Sequence, residues 1–390
     1  MARPTILVLT KHYLPGFKYG GPIRTLANAV AHLGRSFDFR IVTTDRDAGD
    51  TEAFPGINVE NWEPVGNGHV YYLPPSERTP LGIRAVIRKT SHALLYINSF
   101  FDPRFSIAPI VLRRLGLIPK KPVLLAPRGE LAPGALAVKS PKKRIYIQVA
   151  KRLGLYRGIF WQASSPYEED QIRHVFGAGA RVFVASNLAP PPGSADQAVR
   201  RSKQPRELRA FFLGRIAVNK NLLGALEVIE TLQDLDGDFT LNIFGPQEDL
   251  AYWERCENLI ARLPANCRVN YAGIARPEEI SQVVCDHDLL FLPTHGENFG
   301  QAIFESLSHG CPVLLSDQTP WRDLANKGIG WDIPLDQPER FREVIERCMA
   351  MDETEHRKWC ERAEAFAREF SHDDTHVETS RRMFSETLED

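Results

Sequence analysis

The stretch Leu289-Leu290-Phe291-Leu292-Pro293-Thr294-His295-Gly296-Glu297-Asn298-Phe299-Gly300-Gln301-Ala302-Ile303-Phe304-Glu305 sets the reading of the whole chain. Four apolar residues make a short buried strand. Gly300 then stands where a loop turns into a helix, and residues 302–308 keep a helical pattern. The amides of Gly300, Gln301 and Ala302, at the helix start, point toward an anion. Glu297 lies in the loop and Glu305 two helical turns later. A carboxylate accepts hydrogen bonds from two vicinal hydroxyls, so each glutamate suits a sugar or a ribose. The simpler reading, two glutamates flanking an ordinary helix start, uses the same residues.

The same strand-loop-helix unit recurs outward in both directions. Strands are expected at residues 209–213, 239–244, 269–272 and 312–316, with a helix at about 222–232. Toward the N-terminus, strands are expected at residues 6–9, 39–43, 93–97 and 123–126. Ile23, Leu26, Ala27, Val30 and Leu33 fall at helical spacing between the first two. Short continuous apolar strands alternating with helices predict α/β architecture, with parallel sheets covered on both faces. Residues 188–205, rich in Pro, Gly, Ser and charge, read as a linker. Two Rossmann-like domains are therefore expected, 1–187 and 206–373, facing each other across a cleft. Residues 374–390 read as a polar helix.

Charge divides the chain at the same place. Residues 1–187 hold 26 basic and 13 acidic side chains, a net +13, and residues 188–390 hold 22 and 36, a net −14. The formal total of −1 hides this split, which is a prior for an interaction surface on one half. With 43% hydrophobic and 25% charged residues, the composition is that of a globular chain. No apolar run approaches the roughly 18–20 residues of a membrane span. The run at residues 6–9 is too short for a signal peptide, so a cytoplasmic protein is expected. The six cysteines form no C-x-x-C pair and are expected to be reduced.

Two further segments suit a phosphorylated ligand. In Tyr19-Gly20-Gly21-Pro22 the glycines let backbone approach a ligand at a helix start, and Pro22 suits the first turn. This is not the G-x-G-x-x-G dinucleotide fingerprint, which disfavours nicotinamide or flavin chemistry. In Gly214-Arg215-Ile216 followed by Asn219-Lys220-Asn221, two cations five residues apart follow a strand end. An Arg fork and a Lys point charge suit a diphosphate.

The seven residues between Glu297 and Glu305 make an E-x7-E pattern, which resembles the signature of family 4 retaining glycosyltransferases, the glycosyl transferases group 1, of GT-B fold. Tyr13-Leu14-Pro15 with Gly20-Gly21, Gly214-Arg215 with Lys220, Ile243-Phe244-Gly245-Pro246, Tyr271-Ala272-Gly273-Ile274 and Gly310-Cys311-Pro312-Val313 follow in the family's order. The resemblance covers essentially the whole chain and implies that the final helix crosses back to the first domain. It also implies roles. Arg215 and Lys220 neutralise the leaving diphosphate of a nucleotide-sugar, and Gly20 and Gly21 approach it from the other domain. Gly245 belongs to the donor side, Glu305 binds the ribose, and Ile274 contacts the base through its backbone. Glu297 and the amides of Asn298, Phe299 and Gly300 hold the donor sugar. The family retains anomeric configuration, through front-face attack assisted by the leaving phosphate, and is generally metal-independent. No cofactor is then expected, the nucleotide-sugar being a substrate.

The block Pro127-Arg128-Gly129-Glu130-Leu131 resembles bacterial members that elongate surface polysaccharides, where it lies on the acceptor side. From residue 120 to 157 there are ten basic residues and one acid, Glu130, with apolar Ile145, Val149 and Leu153 at helical spacing. Such a helix reads as binding an anionic ligand or a membrane surface. The acceptor side is expected to use Arg24, Asn98, Arg128, Glu130, Lys139, Lys142 and Lys143, with a saccharide, in particular a lipid-linked one, as acceptor. That implies a peripheral association with the inner face of the cytoplasmic membrane. Many relatives carry a His near residue 97, whereas this chain has Asn98, which cannot titrate. No histidine base is assigned, and His12, His295 and His309 remain, His295 being the best placed. Other readings stay open: a GT-B phosphorylase, a nucleotide-sugar epimerase, or an inactive sugar-nucleotide-binding or scaffold protein. Nucleic acid is disfavoured, because the basic run lacks interleaved aromatics for base stacking.

Overall fold

A computed structural model describes residues 3–132, 135–136, 140–191 and 198–389. It divides into two compact units, Met1–Pro191 with Asp373–Asp390, and Pro192–His372.

The first unit runs β1 (Thr5–Leu9), α1 (Gly21–Leu33), β2 (Asp38–Thr44), β3 (Trp62–Val65), β4 (Gly68–Leu73), α2 (Pro80–Lys89), β5 (Leu94–Ile97), α3 (Ala108–Arg114), β6 (Val123–Leu125), α4 (Ser140–Arg152), β7 (Phe160–Ala163), α5 (Pro166–Phe176) and β8 (Arg181–Val184). Its sheet has the order β3-β4-β2-β1-β5-β6-β7-β8. The apolar runs are continuous because both faces are covered. Leu7, Leu9, Leu95, Ile97 and Leu125 enter one hydrophobic cluster. Their alternates Ile6, Val8, Leu94, Tyr96 and Leu124 enter the other. One strand departs from the parallel expectation: β3 pairs antiparallel with β4, Val65 facing Gly68. Gly66, at φ 56°, makes the intervening turn. Pro64 is tolerated there because β3 is the sheet edge.

The second unit runs β9 (Glu207–Leu213), α6 (Leu222–Glu230), β10 (Asp238–Phe244), α7 (Leu250–Ile260), β11 (Cys267–Gly273), α8 (Ile280–Cys285), β12 (Leu289–Leu292), α9 (Gln301–Ser308), β13 (Val313–Ser316), α10 (Leu324–Lys327), β14 (Gly330–Ile333), α11 (Pro338–Ala350) and α12 (Glu353–His372). The order is β11-β10-β9-β12-β13-β14, with every pair parallel. Chain direction across this sheet reverses between β9 and β12, and in the first unit between β1 and β5. An open α/β sheet binds its ligand at such switch points, outside the carboxyl ends of the strands.

The chain then returns to the first unit as α13 (Asp374–Glu389). This is the expected, mostly polar helix, and one of its faces is apolar and buried. Met383 and Phe384 join the second cluster. The Phe384 ring lies 5.5 Å from Phe37, 5.7 Å from Phe39 and 5.2 Å from Tyr96, centroid to centroid. The polar residues that dominate its sequence cover the other face.

Candidate functional site

The switch point of the second unit brings together two loops far apart in sequence. After β9 the chain makes a 3-10 turn over Val218–Lys220. Asn221 then adopts left-handed backbone, φ 57° and ψ 41°, and caps α6. Asn is one of the few side chains that accept this conformation. Its Nδ2 also donates to the Pro293 carbonyl at 2.8 Å. Asn219 Nδ2 donates to Gly296 O at 3.1 Å, and His295 N donates to Asn219 O at 2.8 Å. These bonds lock the loop after β9 to the loop after β12. Across the lock, Lys220 Nζ donates to Glu297 Oε1, a pair separated by 77 residues in sequence. Both side chains are largely sheltered.

The helix start that follows is rigidly held. Gly300 precedes α9 at φ 81°, and a Cβ there would meet Ile303 Cδ1 at 2.5 Å. Among the described residues no side chain caps this end, so its first amides suit another acceptor. The Phe299 side chain is buried against Trp321, and its carbonyl accepts from Trp321 Nε1. Only the backbone of Phe299 is thus left for a ligand. Gln301, the first helical residue, is 9% exposed, and among the described residues neither its Nε2 nor its Oε1 has a hydrogen-bond partner. A buried unpaired amide costs about 1–3 kcal/mol. The sequence reading considered only the Gln301 backbone, because nothing marks a glutamine at a helix start as unsatisfied.

Other donor-side residues lie around this frame. Arg215 Nη1 donates to Glu248 Oε2 at 2.5 Å. A Cβ on Gly245 would fall 1.9 Å from the Gly214 carbonyl, so glycine is needed there to pack two loops together. Ile274 is exposed just beyond β11, and Glu305 is half-buried on α9. His295 is exposed.

In the first unit, Gly20 lies at φ 68° and precedes α1. Nothing lies within 4 Å of a Cβ built on Gly20 or Gly21, so the space over both is open. Asp47 pins the preceding loop by accepting from Phe17 N at 2.7 Å and Lys18 N at 3.1 Å. His12 is buried, and burial holds its pKa down to about 4, so the ring is neutral at neutral pH. Its Nδ1 has no hydrogen-bond partner among the described residues. Arg24 is half-buried on α1.

The residues expected on the acceptor side are mostly occupied inside the protein. Arg128 is held at φ 56°. Its guanidinium donates to Asn98 Oδ1 at 2.6 Å, Asn187 Oδ1 at 2.7 Å and Tyr96 Oη at 2.7 Å. Asn98 Nδ2 is buried and has no hydrogen-bond partner among the described residues. The Glu130 carboxylate accepts from Phe100 N at 2.8 Å, Phe101 N at 2.7 Å and Ser99 Oγ at 2.9 Å. Burial pushes its pKa up, against those bonds. Glu130 therefore shapes the loop after β5. Lys143 turns inward, donating to Ala135 O at 2.6 Å and lying 5.0 Å from the Phe101 ring centre. Lys142 is exposed on α4, and Lys139 lies outside the described residues.

One face of α4 is apolar and open. Ile145 is 60%, Val149 48% and Leu153 58% exposed, and Leu115, after α3, is 64% exposed. Arg113 Nη2 donates to Gly158 O at 3.4 Å, which joins the end of α3 to the segment after α4. Among the described residues no helix is long and apolar enough to cross a membrane.

Residues 195–366 match the family model described as Glycosyl transferases group 1. The sulfoquinovosyl transferase SQD2 of Arabidopsis thaliana is 27% identical over 111 residues, which is 28% of this chain and 20% of that protein. The match therefore spans about a fifth of that relative's length. Sucrose-phosphate synthase from Thermosynechococcus elongatus has a similar structure, with a TM-score of 0.71 at 15% identity over 98% of this chain and 99% of that one. Anabaena HepE, solved with UDP and glucose, gives 0.67 at 15% identity over 99% of this chain and 100% of that one. The fold is GT-B, with a parallel Rossmann-like sheet in the second unit, a largely parallel one in the first, and a long C-terminal helix against the first.

Proposed function

From a chain that carries a glycosyl transferases group 1 domain at residues 195–366, we propose a retaining glycosyltransferase that moves a sugar from a nucleotide-sugar to a saccharide acceptor. The observation that carries this reading is the meeting of Lys220 with Glu297 beside the uncapped start of α9. A cation, a carboxylate and free helix amides there suit a phosphate next to a sugar. Arg215 and Lys220 neutralise the diphosphate as it leaves. The amides of Asn298, Phe299 and Gly300 add fixed dipoles, which cost no reorganisation during reaction. Glu297 holds the sugar hydroxyls and Glu305 the ribose. Ile274 lies against the base. The open space at Gly20 and Gly21 suits close backbone approach to a phosphate.

The bond from the anomeric carbon to the phosphate oxygen breaks. The acceptor oxygen bonds to the same face of that carbon, and its proton passes to the leaving phosphate. No histidine base is needed for this balance. Anabaena HepE was solved with UDP and glucose, which makes UDP-sugars the first donors to test.

The acceptor is a saccharide on a membrane lipid, in surface polysaccharide synthesis. Support comes from the Pro127–Leu131 block and from the open apolar stripe of α4 among cations. Apolar burial with attraction to anionic headgroups is how an amphipathic helix lies on a membrane. Arg128 and Asn98 hold each other in place, and Glu130 fixes the loop that carries Asn98.

Calorimetry with UDP-, GDP- and ADP-sugars tests the donor reading, and NMR of the product tests retention. Glu297→Ala is expected to stay folded, though melting earlier because it leaves the sheltered Lys220 ammonium unpaired, and to lose transfer by at least a hundredfold, on the order of 2.7 kcal/mol. Normal turnover by that variant removes Glu297 from the site.

A further inference from the structure

The loop after β10 carries a carboxylate, Glu248, onto Arg215. Backbone bonds fix the two residues side by side. Ile216 N donates to Pro246 O at 2.8 Å, Gly214 N to Phe244 O at 2.9 Å, and Asp249 N to Ile216 O at 3.4 Å. Gly245 permits this closeness, since any side chain there would strike the Gly214 carbonyl. The side chains themselves remain reachable by solvent, Arg215 at 33% and Glu248 at 47%. Lys220 is paired in the same way with Glu297. Each cation assigned to the diphosphate therefore already holds a carboxylate.

We propose that Glu248 is a resident anion: it occupies Arg215 while the donor site is empty, gives way to a nucleoside diphosphate, and returns as that product leaves. The inference rests on the donor-site reading above. Binding then exchanges one charge-assisted bond for another, so the ligand gains only the difference. A diphosphate outcompetes a single carboxylate more readily than a monophosphate does. Because only a ligand that reaches Arg215 bears this competition, Glu248 lowers affinity for diphosphates more than for monophosphates and speeds diphosphate release. An exposed ion pair adds little to folding stability, so removing the carboxylate should leave the fold intact.

The test is calorimetry on the full chain with UDP, GDP, ADP and UMP, at low and high salt. Glu248→Gln is expected to keep the melting temperature and to bind the preferred diphosphate about two- to fivefold tighter, the range of an exposed pair. The gain should shrink at high salt and be smaller for UMP. With Arg215→Ala in the background, Glu248→Gln should change nothing. Unchanged or weaker binding by Glu248→Gln overturns the proposal, as does a gain that persists without Arg215. If the wild type binds no nucleoside diphosphate, the donor reading fails and this inference with it. If the wild type binds one and Glu248→Gln binds it equally, only the role of Glu248 fails.

Discussion

Gln301 keeps a whole side-chain amide buried and unpaired at the start of α9. Stability alone disfavours it, and a donor hydroxyl or phosphate oxygen would satisfy it. Gln301→Leu should hold or raise the melting temperature while weakening nucleotide-sugar binding by about tenfold or more, the scale of one or two lost hydrogen bonds. A variant that melts earlier and binds normally would make Gln301 structural. The residues chosen in the sequence are placed unequally in the structure, for a physical reason. Glu297 and Lys220 were legible because both follow strand ends, where ligands gather. Glu130 looked available, yet its carboxylate is consumed by amides at residues 100 and 101. Those donors come from another loop, and no local pattern announces them.

Among the elements, α4 is the clearest case of a helix whose periodicity was legible but whose partner was not. Spacing at 145, 149 and 153 predicts one face, and the structure leaves that face to solvent. Ile145→Asp with Val149→Asp should reduce sedimentation of the protein with vesicles containing phosphatidylglycerol, without changing donor affinity. Lys142→Glu with Arg144→Glu should act in the same direction and depend on salt. Retained vesicle binding by both variants would refute the membrane-facing role. Lys143 is a poor probe, because its ammonium packs over Phe101. The strands were legible where they were continuous apolar runs, such as β1 and β12. The β3–β4 hairpin escaped, since Trp62-Glu63-Pro64-Val65 mixes a proline and a carboxylate into an edge. Edge strands carry weaker apolar signals because one side needs no cover.

Over the whole molecule, the alternation of short apolar strands and helices pointed to α/β architecture before any coordinate. The route of the chain was legible only through the family resemblance, because residues 374–389 look polar when read in line. Their anchor is Phe384, set among Phe37, Phe39 and Tyr96. Phe384→Ala should destabilise the first unit by about 3–5 kcal/mol. Hydrogen exchange should quicken in β1 and β2 and stay unchanged in β9 and β12; a uniform change would mean that the two units melt as one. The same anchor bears on synthesis. A ribosome adds roughly 5–20 residues per second, so α13 emerges on the order of ten to forty seconds after β8. Until then the aromatic face around Phe39 has no cover. The unit begun first is completed last, and a nascent chain stalled within the second unit should be a substrate for chaperones that bind exposed aromatic surface.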